Sequence, residues 1–364
     1  MQTANKEEGK SMSRKLASIQ KIWKVEPIEG ADAIELVHIL GWQCVAKKGE
    51  FKDGDLCTYF EIDSFLPCTP EFEFLRPNSY KVNPILGEGY RLRTKRMRGQ
   101  LSQGLALPID TFDFSNWTED YKVGDDVTNL LGVRQWVEEE RATTGGTTIG
   151  GRPDGVPHTD ETRIQSCPEL FELFRGKKYY ITSKCDGSSH SVFIDADEKF
   201  HVTGHNYEYK DDGHCSFYEY VKKNGIESKI RIWKRNQKDE IRTICVQGEW
   251  CGAGIQKNRL KLQQPEWFVF TLIINGERCG LDKLNQFISE TGINMVPIEE
   301  TGANLCEKYP DIDALLKRAE IKYPCGSNGE GIVIRTAVPE KCMLTDSGYL
   351  SIKVINNKYL LKND

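Results

Sequence analysis

No apolar run in this 364-residue sequence approaches the roughly 20 residues that span a bilayer. The N-terminal stretch MQTANKEEGKSMSRK also lacks the apolar centre of a signal segment. A spanning or exported chain is therefore not expected, and an intracellular location, cytoplasmic or nuclear, is. Positive charge is not in excess either. With 49 Lys and Arg against 54 Asp and Glu, the formal charge is -5, which argues against a uniformly basic nucleic-acid coat but leaves local basic patches open. The 12 cysteines include no C-x-x-C pair. That spacing speaks against a zinc ribbon and for scattered, reduced thiols.

What is present suffices for a sizeable core and about two domains. Residues 14–133 read as short strands between turns, among them Ile34 to Leu40 and Leu56 to Ile62, with Gly30, Gly41, Gly49 and Gly54 at turn positions. Phe51-Lys52-Asp53-Gly54-Asp55 is echoed by Tyr121-Lys122-Val123-Gly124-Asp125, and both read as strand-entering turns. Some five strands in this length suit an OB-type barrel, or a sandwich. Residues 134–158 read as a linker or mobile loop. Val137 to Arg141 resembles a helix end there, and Thr143 to Pro153 is too rich in Gly and Thr to pack. Residues 159–364 mix the two element types in an α+β pattern. Strands are expected at Tyr179–Ser183, Ser191–Asp195, Thr243–Glu249 and Glu266–Asn275, and helices at Leu281–Thr291 and Ile312–Ile321.

The sharpest local signal is Lys184-Cys185-Asp186-Gly187, directly after the apolar run that begins at Tyr179. A lysine at a strand end, before a glycine turn, can act as a nucleophile if its surroundings depress its pKa. Four residues alone are a weak signal. An ordered set of partners strengthens it: Val246-Gln247-Gly248-Glu249, the aromatic strand Trp267-Phe268-Val269-Phe270, Glu330-Gly331-Ile332-Val333, and Lys353 within Leu350-Ser351-Ile352-Lys353-Val354. Two lysines and three acids at strand termini suit lysine-mediated nucleotidyl transfer. One amine attacks, one cation holds phosphate, and carboxylates position hydrated Mg²⁺.

This set resembles the covalent nucleotidyltransferase superfamily of ATP-dependent ligases and capping enzymes, over roughly 159–355. Thr159 to Gln165 ahead of the lysine, a barrel placed N-terminally, and Gly104 in Leu101-Ser102-Gln103-Gly104-Leu105 look like the family 5 RNA ligases. The resemblance implies an N-terminal OB domain over about 14–133, followed by a ligase-type α+β domain. It also implies an ATP-dependent RNA ligase with Mg²⁺ or Mn²⁺ as cofactor, sealing 3′-OH to 5′-phosphate RNA ends, with nicked duplex as the expected substrate.

Carried over by position, Lys184 would be adenylylated. Asp186, Glu249 and Glu330 would hold the metal through water, and Glu249 would also reach the ribose. Phe268 or Phe270 would stack on adenine; alternation puts them on one face and leaves the choice open. Arg163 would contact the sugar, and Lys353 would bind the α-phosphate and help depress the Lys184 pKa. The sequence departs from the family's pattern twice. His205 stands where an arginine is usual, and the final motif has Lys353 followed by Val354 and Ile355 rather than K-x-K.

Two basic islands stand out in the acidic chain. Lys81 to Gln100 carries six Lys or Arg against Glu88, with Arg91, Arg93, Lys95, Arg96 and Arg98 as the expected RNA-phosphate contacts. Val221 to Lys238 carries seven against Glu227 and includes Trp233, and here RNA contact and a solvated helix face weigh equally. His201, His205 and His214 with Cys215 match no tidy metal spacing, and Cys185 reads as a filler. The alternatives are a GTP-using capping guanylyltransferase and a non-enzymatic OB-fold RNA-binding protein.

Overall fold

Two units divide the chain: Met1–Trp136 with Cys342–Tyr349, and Val137–Lys341 with Leu350–Asp364. The computed structural model describes residues 14–114, 121–137 and 146–363.

In the first unit, the strand Trp42–Lys47 alternates buried and partly exposed side chains along nearly its whole length, the mark of a sheet with one face on a core. It ends a five-stranded antiparallel sheet whose order is Leu105–Pro108, Leu56–Phe60, Ala17–Pro27, Ile34–Ile39 and Trp42–Lys47. The sheet curls far enough for its two ends to touch, with the Gln103 N–H donating to the Gln43 carbonyl at 2.9 Å. Gly104 makes this possible. Its φ is +108°, and a Cβ there would sit 2.5 Å from the Phe60 carbonyl oxygen. Ile19, Phe60, Leu66, Phe72 and Tyr90 fill the interior.

The echoed segments are one device used twice. The Asp55 carboxylate accepts from the Lys52 N–H at 2.8 Å and Asp125 accepts from Lys122 at 2.6 Å, while Gly54 and Gly124 have φ of +97° and +95°. Both turns dock on Ala17–Pro27, Gly54 donating to the Ile22 carbonyl and Gly124 to that of Ile19, each at 2.8 Å.

The second unit has two sheets. A seven-stranded antiparallel sheet runs Thr148–Gly151, Tyr207–Tyr209, Phe200–Thr203, Ser188–Ile194, Ile244–Cys251, Glu266–Ile274 and Glu277–Arg278. The helices Ser216–Lys223, Ile226–Arg235 and Leu281–Thr291 share its core through Phe217, Trp233, Trp250, Trp267 and Phe287. A five-stranded sheet runs Thr162–Arg163, Ser351–Ile355, Gly331–Thr336, Tyr179–Lys184 and Ile298–Gly302. The expected strands and the helix Leu281–Thr291 are present, and the helix expected to reach Ile321 ends at Arg318.

The Gly- and Thr-rich stretch is not wholly unstructured. Thr148–Gly151 forms the edge strand beside Tyr207–Tyr209, with all four residues exposed, since ladder bonding needs only backbone. The helix end expected at Val137 to Arg141 lies, beyond Val137, outside the described residues. Among the described residues, no helix is long and apolar enough to cross a membrane.

Candidate active site

Strand register places the chemistry. Lys184 ends its strand opposite Gly331, so Glu330 arrives beside it, and the Lys184 Nζ lies 2.8 Å from the Glu330 Oε1. Gly331, with φ +151°, tolerates no side chain, because a Cβ would stand 2.2 Å from the Val354 carbonyl oxygen. The buried Tyr323 ties the two backbones together. Its hydroxyl donates to the Lys184 carbonyl at 2.6 Å and accepts from the Glu330 N–H at 3.1 Å. Gly187 explains the fourth position of the lysine motif. A Cβ there would lie 2.4 Å from the Trp250 carbonyl and 2.9 Å from the Glu249 Cγ, so only glycine lets the turn close on the strand that carries Glu249.

Across the five-stranded sheet, Arg163 pairs with Lys353, Lys353 with Val333, and Val333 with Thr182. Paired residues share a face, and Lys184 lies two residues beyond Thr182 on that same face. Lys184, Lys353, Glu249, Phe270, Arg335 and His205 all border one cleft. Arg163 stands beside Lys353 by register but is not among the residues bordering it. Phe268 and Phe270 part company here. Between Gln247 and Gly248 the register slips, so that Thr271 and Val269 face consecutive partners and Phe270 bulges out of the ladder. Both rings pack against the small cluster of Cys185, Cys251 and Val296, and of the two it is Phe270 that borders the cleft.

The electrostatics are dominated by crowded acids. Burial raises the Glu249 carboxyl to about 8 against the pull of Lys184, with Glu330 and Asp186 adding to the rise. Asp186 is likewise raised by burial and by Glu330. It is clasped by the Tyr359 hydroxyl at 3.1 Å and by the Arg259 Nε at 3.3 Å. Burial alone would push the Lys184 ammonium down, but Glu330, Glu249 and Asp186 outweigh it and hold it well above its ordinary value. Lysine depression of the kind expected from Lys353 is thus overridden here by three carboxylates. Those carboxylates form a hard-oxygen donor set whose mutual repulsion a divalent cation would relieve, so they fit Mg²⁺ or Mn²⁺.

Comparison with known proteins bears on this arrangement directly. A family model described as an OB-fold domain matches residues 16–109, and one described as RNA ligase matches residues 177–355. Among solved structures, an apo mutant of the Naegleria gruberi RNA ligase is 31% identical. It covers 95% of this chain and 97% of its own, with a TM-score of 0.83. This chain belongs to the RNA ligase family. Two further mutant structures of the Naegleria gruberi enzyme, one with ATP and Mn and one with AMP and Mn, are each 30% identical. Both cover 95% of this chain and 98% of their own, with a TM-score of 0.84. No curated protein matched.

In this RNA ligase the cleft also depends on residues that sequence reasoning passed over. The buried Arg335 pairs through Nη2 with the Glu161 Oε1 at 2.6 Å, and Ser351 also hydrogen-bonds Glu161. Arg335 lies in the strand that follows Glu330, and its spacing gave no sign of a partner 174 residues away. Tyr323, Tyr359 and Arg259 left no motif either.

The basic islands fare differently. In the first unit, Lys95–Met97 and Gln100–Ser102 form a hairpin that leaves Arg96 and Arg98 exposed. Arg91 lies over the Trp136 ring at 4.6 Å, and Lys95 donates to the Asn78 carbonyl and the Ser79 hydroxyl at 3.2 Å. Arg93 is half-buried. In the second island, Arg231 and Lys234 are tied to Glu198 and Lys222 to Asp211, while Trp233 is buried. Much of that island is therefore structural. None of the twelve cysteines is joined in a disulfide.

Proposed function

We propose that this RNA ligase adenylylates Lys184 with ATP and then joins RNA 3′-OH to 5′-phosphate ends, with the nick in a duplex as its preferred substrate. The observation that carries this reading is one cleft bordered by Lys184, Glu249 and Lys353, with Glu330 held against the Lys184 amine by strand register. Use of ATP and a divalent ion is in keeping with the Naegleria gruberi enzyme, which is known with ATP and Mn.

In the first step the Lys184 amine, having lost its proton, attacks the α-phosphorus. The bond to pyrophosphate breaks and a lysine–AMP phosphoramidate forms. AMP then passes to the RNA 5′-phosphate, and attack by the 3′-OH expels it. Lys353 would contact the α-phosphate, Phe270 would stack on adenine, and Arg163 would reach the sugar. Asp186, Glu249 and Glu330 would hold a hydrated Mg²⁺ or Mn²⁺. When bound, that ion supplies positive charge for the phosphates and loosens the acids' hold on the Lys184 proton. Arg96 and Arg98 would meet RNA phosphates.

The test is incubation with Mg²⁺ and α-³²P-labelled ATP or GTP, followed by denaturing electrophoresis. Label from ATP that survives SDS and is lost in Lys184→Ala is expected. Label from GTP alone would turn the reading to a guanylyltransferase, and label from neither nucleotide would sink it.

A further inference from the structure

We propose a second cation site, separate from the carboxylate cluster, formed by His158, Asp160 and His205 at the rim of the cleft and suited to a borderline transition metal of the Zn²⁺ class. The ligand-capable atoms of these three side chains all lie within 4.8 Å of one another. The His205 Nε2 stands 3.7 Å from the Asp160 Oδ2, and the two imidazole rings are 5.8 Å apart between centroids. Two imidazoles with one carboxylate are a donor set that favours Zn²⁺, Co²⁺ or Ni²⁺ over Mg²⁺, which prefers oxygen. Three protein ligands leave a coordination position for water or a phosphate oxygen.

The backbone under these side chains is fastened on both sides. Gln247 donates to the Pro157 carbonyl at 2.8 Å, the Thr159 hydroxyl meets that of Ser189 at 2.7 Å, and the Arg152 Nη1 donates to the His205 carbonyl at 3.1 Å. The three side chains themselves are exposed or half-exposed. They need only rotamer changes to close from their present spacing onto an ion, while the chain that bears them stays put.

The contrast with His201 is instructive, because the sequence set His205 beside it. His201 spends its two ring nitrogens on Glu208 at 2.7 Å and Asp195 at 3.1 Å, a closed network of its own. Asp160 and His205 instead border the cleft that contains Lys184. An ion at this rim would add positive charge where phosphates enter.

The experiment is calorimetric titration of tag-free full-length protein with Zn²⁺ in excess Mg²⁺, which occupies the carboxylate cluster, paralleled by Co²⁺ absorption spectra. One Zn²⁺ per chain is expected, with a Co²⁺ spectrum free of thiolate charge transfer. The variants H158A and H205A should each weaken binding on the order of 100-fold, and the double variant should abolish it. Thermal midpoints measured in EDTA should match the wild type, and Zn²⁺ should raise the midpoint most in the wild type, less in the single variants and not at all in the double variant. Undiminished Zn²⁺ binding by the double variant would overturn the site, as would a Co²⁺ spectrum dominated by thiolate bands.

Discussion

The two units hold their candidate functional charges in opposite ways. In the second unit, Lys184 and Glu330 are joined by strand register, braced by Tyr323 and crowded by Glu249. In the first, Arg96 and Arg98 stand exposed on a two-stranded hairpin. Buried charges at short range interact strongly and little salt reaches them, whereas exposed ones act through a screened field. Covalent chemistry needs the first kind of placement. Gripping a flexible polyanion at many phosphates needs only the second.

The sharpest break in this contrast is Lys184→Ala. Self-labelling should fall on the order of 10⁵-fold, because the attacking amine itself is removed. Joining of a pre-adenylated 5′-end should persist, since the last step uses no lysine nucleophile. If the variant failed equally on pre-adenylated RNA, Lys184 would have a second role.

Tyr323→Phe probes the brace rather than the nucleophile. Removing the hydroxyl leaves the Lys184 carbonyl and the Glu330 N–H without that partner, at about 1–2 kcal/mol of stability. The labelling rate should fall roughly tenfold with ATP half-saturation unchanged. A rise in half-saturation with an unaltered rate would mean that Tyr323 serves binding and not alignment.

Glu249 supplies the pH test. Its ordinary value of 4.5 is raised to about 8, so the folded chain binds this proton more tightly than the unfolded chain does. The stabilisation is complete below pH 4.5 and is lost as pH rises through about 8. Metal-free protein should therefore show a thermal midpoint that declines over this window by several degrees, and Glu249→Gln should flatten the decline. A profile identical in the two proteins would place the raised carboxyl elsewhere.

The smallest effect belongs to the exposed hairpin. Replacing Arg96 and Arg98 by Gln should leave self-labelling unaffected and weaken joining severalfold. The slope of log affinity against log salt should become shallower by about 1 to 2. An unchanged salt slope would remove these arginines from RNA contact. Adding Lys95→Gln should contribute less, because Lys95 already donates to Asn78 and Ser79.

Several elements were legible in the sequence because their causes are local. The strand that ends in Lys184 and the twin turns around Gly54 and Gly124 each follow from short-range sterics or alternation, whereas glycine at 104, 187 and 331 is required by backbone that only folding brings close, at Phe60, Trp250 and Val354. The order of lysines and acids along the chain was likewise enough to carry the resemblance to the RNA ligases, the family to which the chain belongs. Other features only the tertiary structure decided. Alternation could not separate Phe268 from Phe270, because the one-residue bulge that takes Phe270 out of the ladder is invisible to a period of two, and it is Phe270 that borders the cleft. The pairing of Arg335 with Glu161 and the clasp of Asp186 by Tyr359 and Arg259 join residues far apart in the chain, and no spacing rule encodes such partners. The protonation balance at Lys184 is of the same kind. Residue types alone could not set its sign, which depends on how many carboxylates the folded chain brings within Coulomb range of one amine.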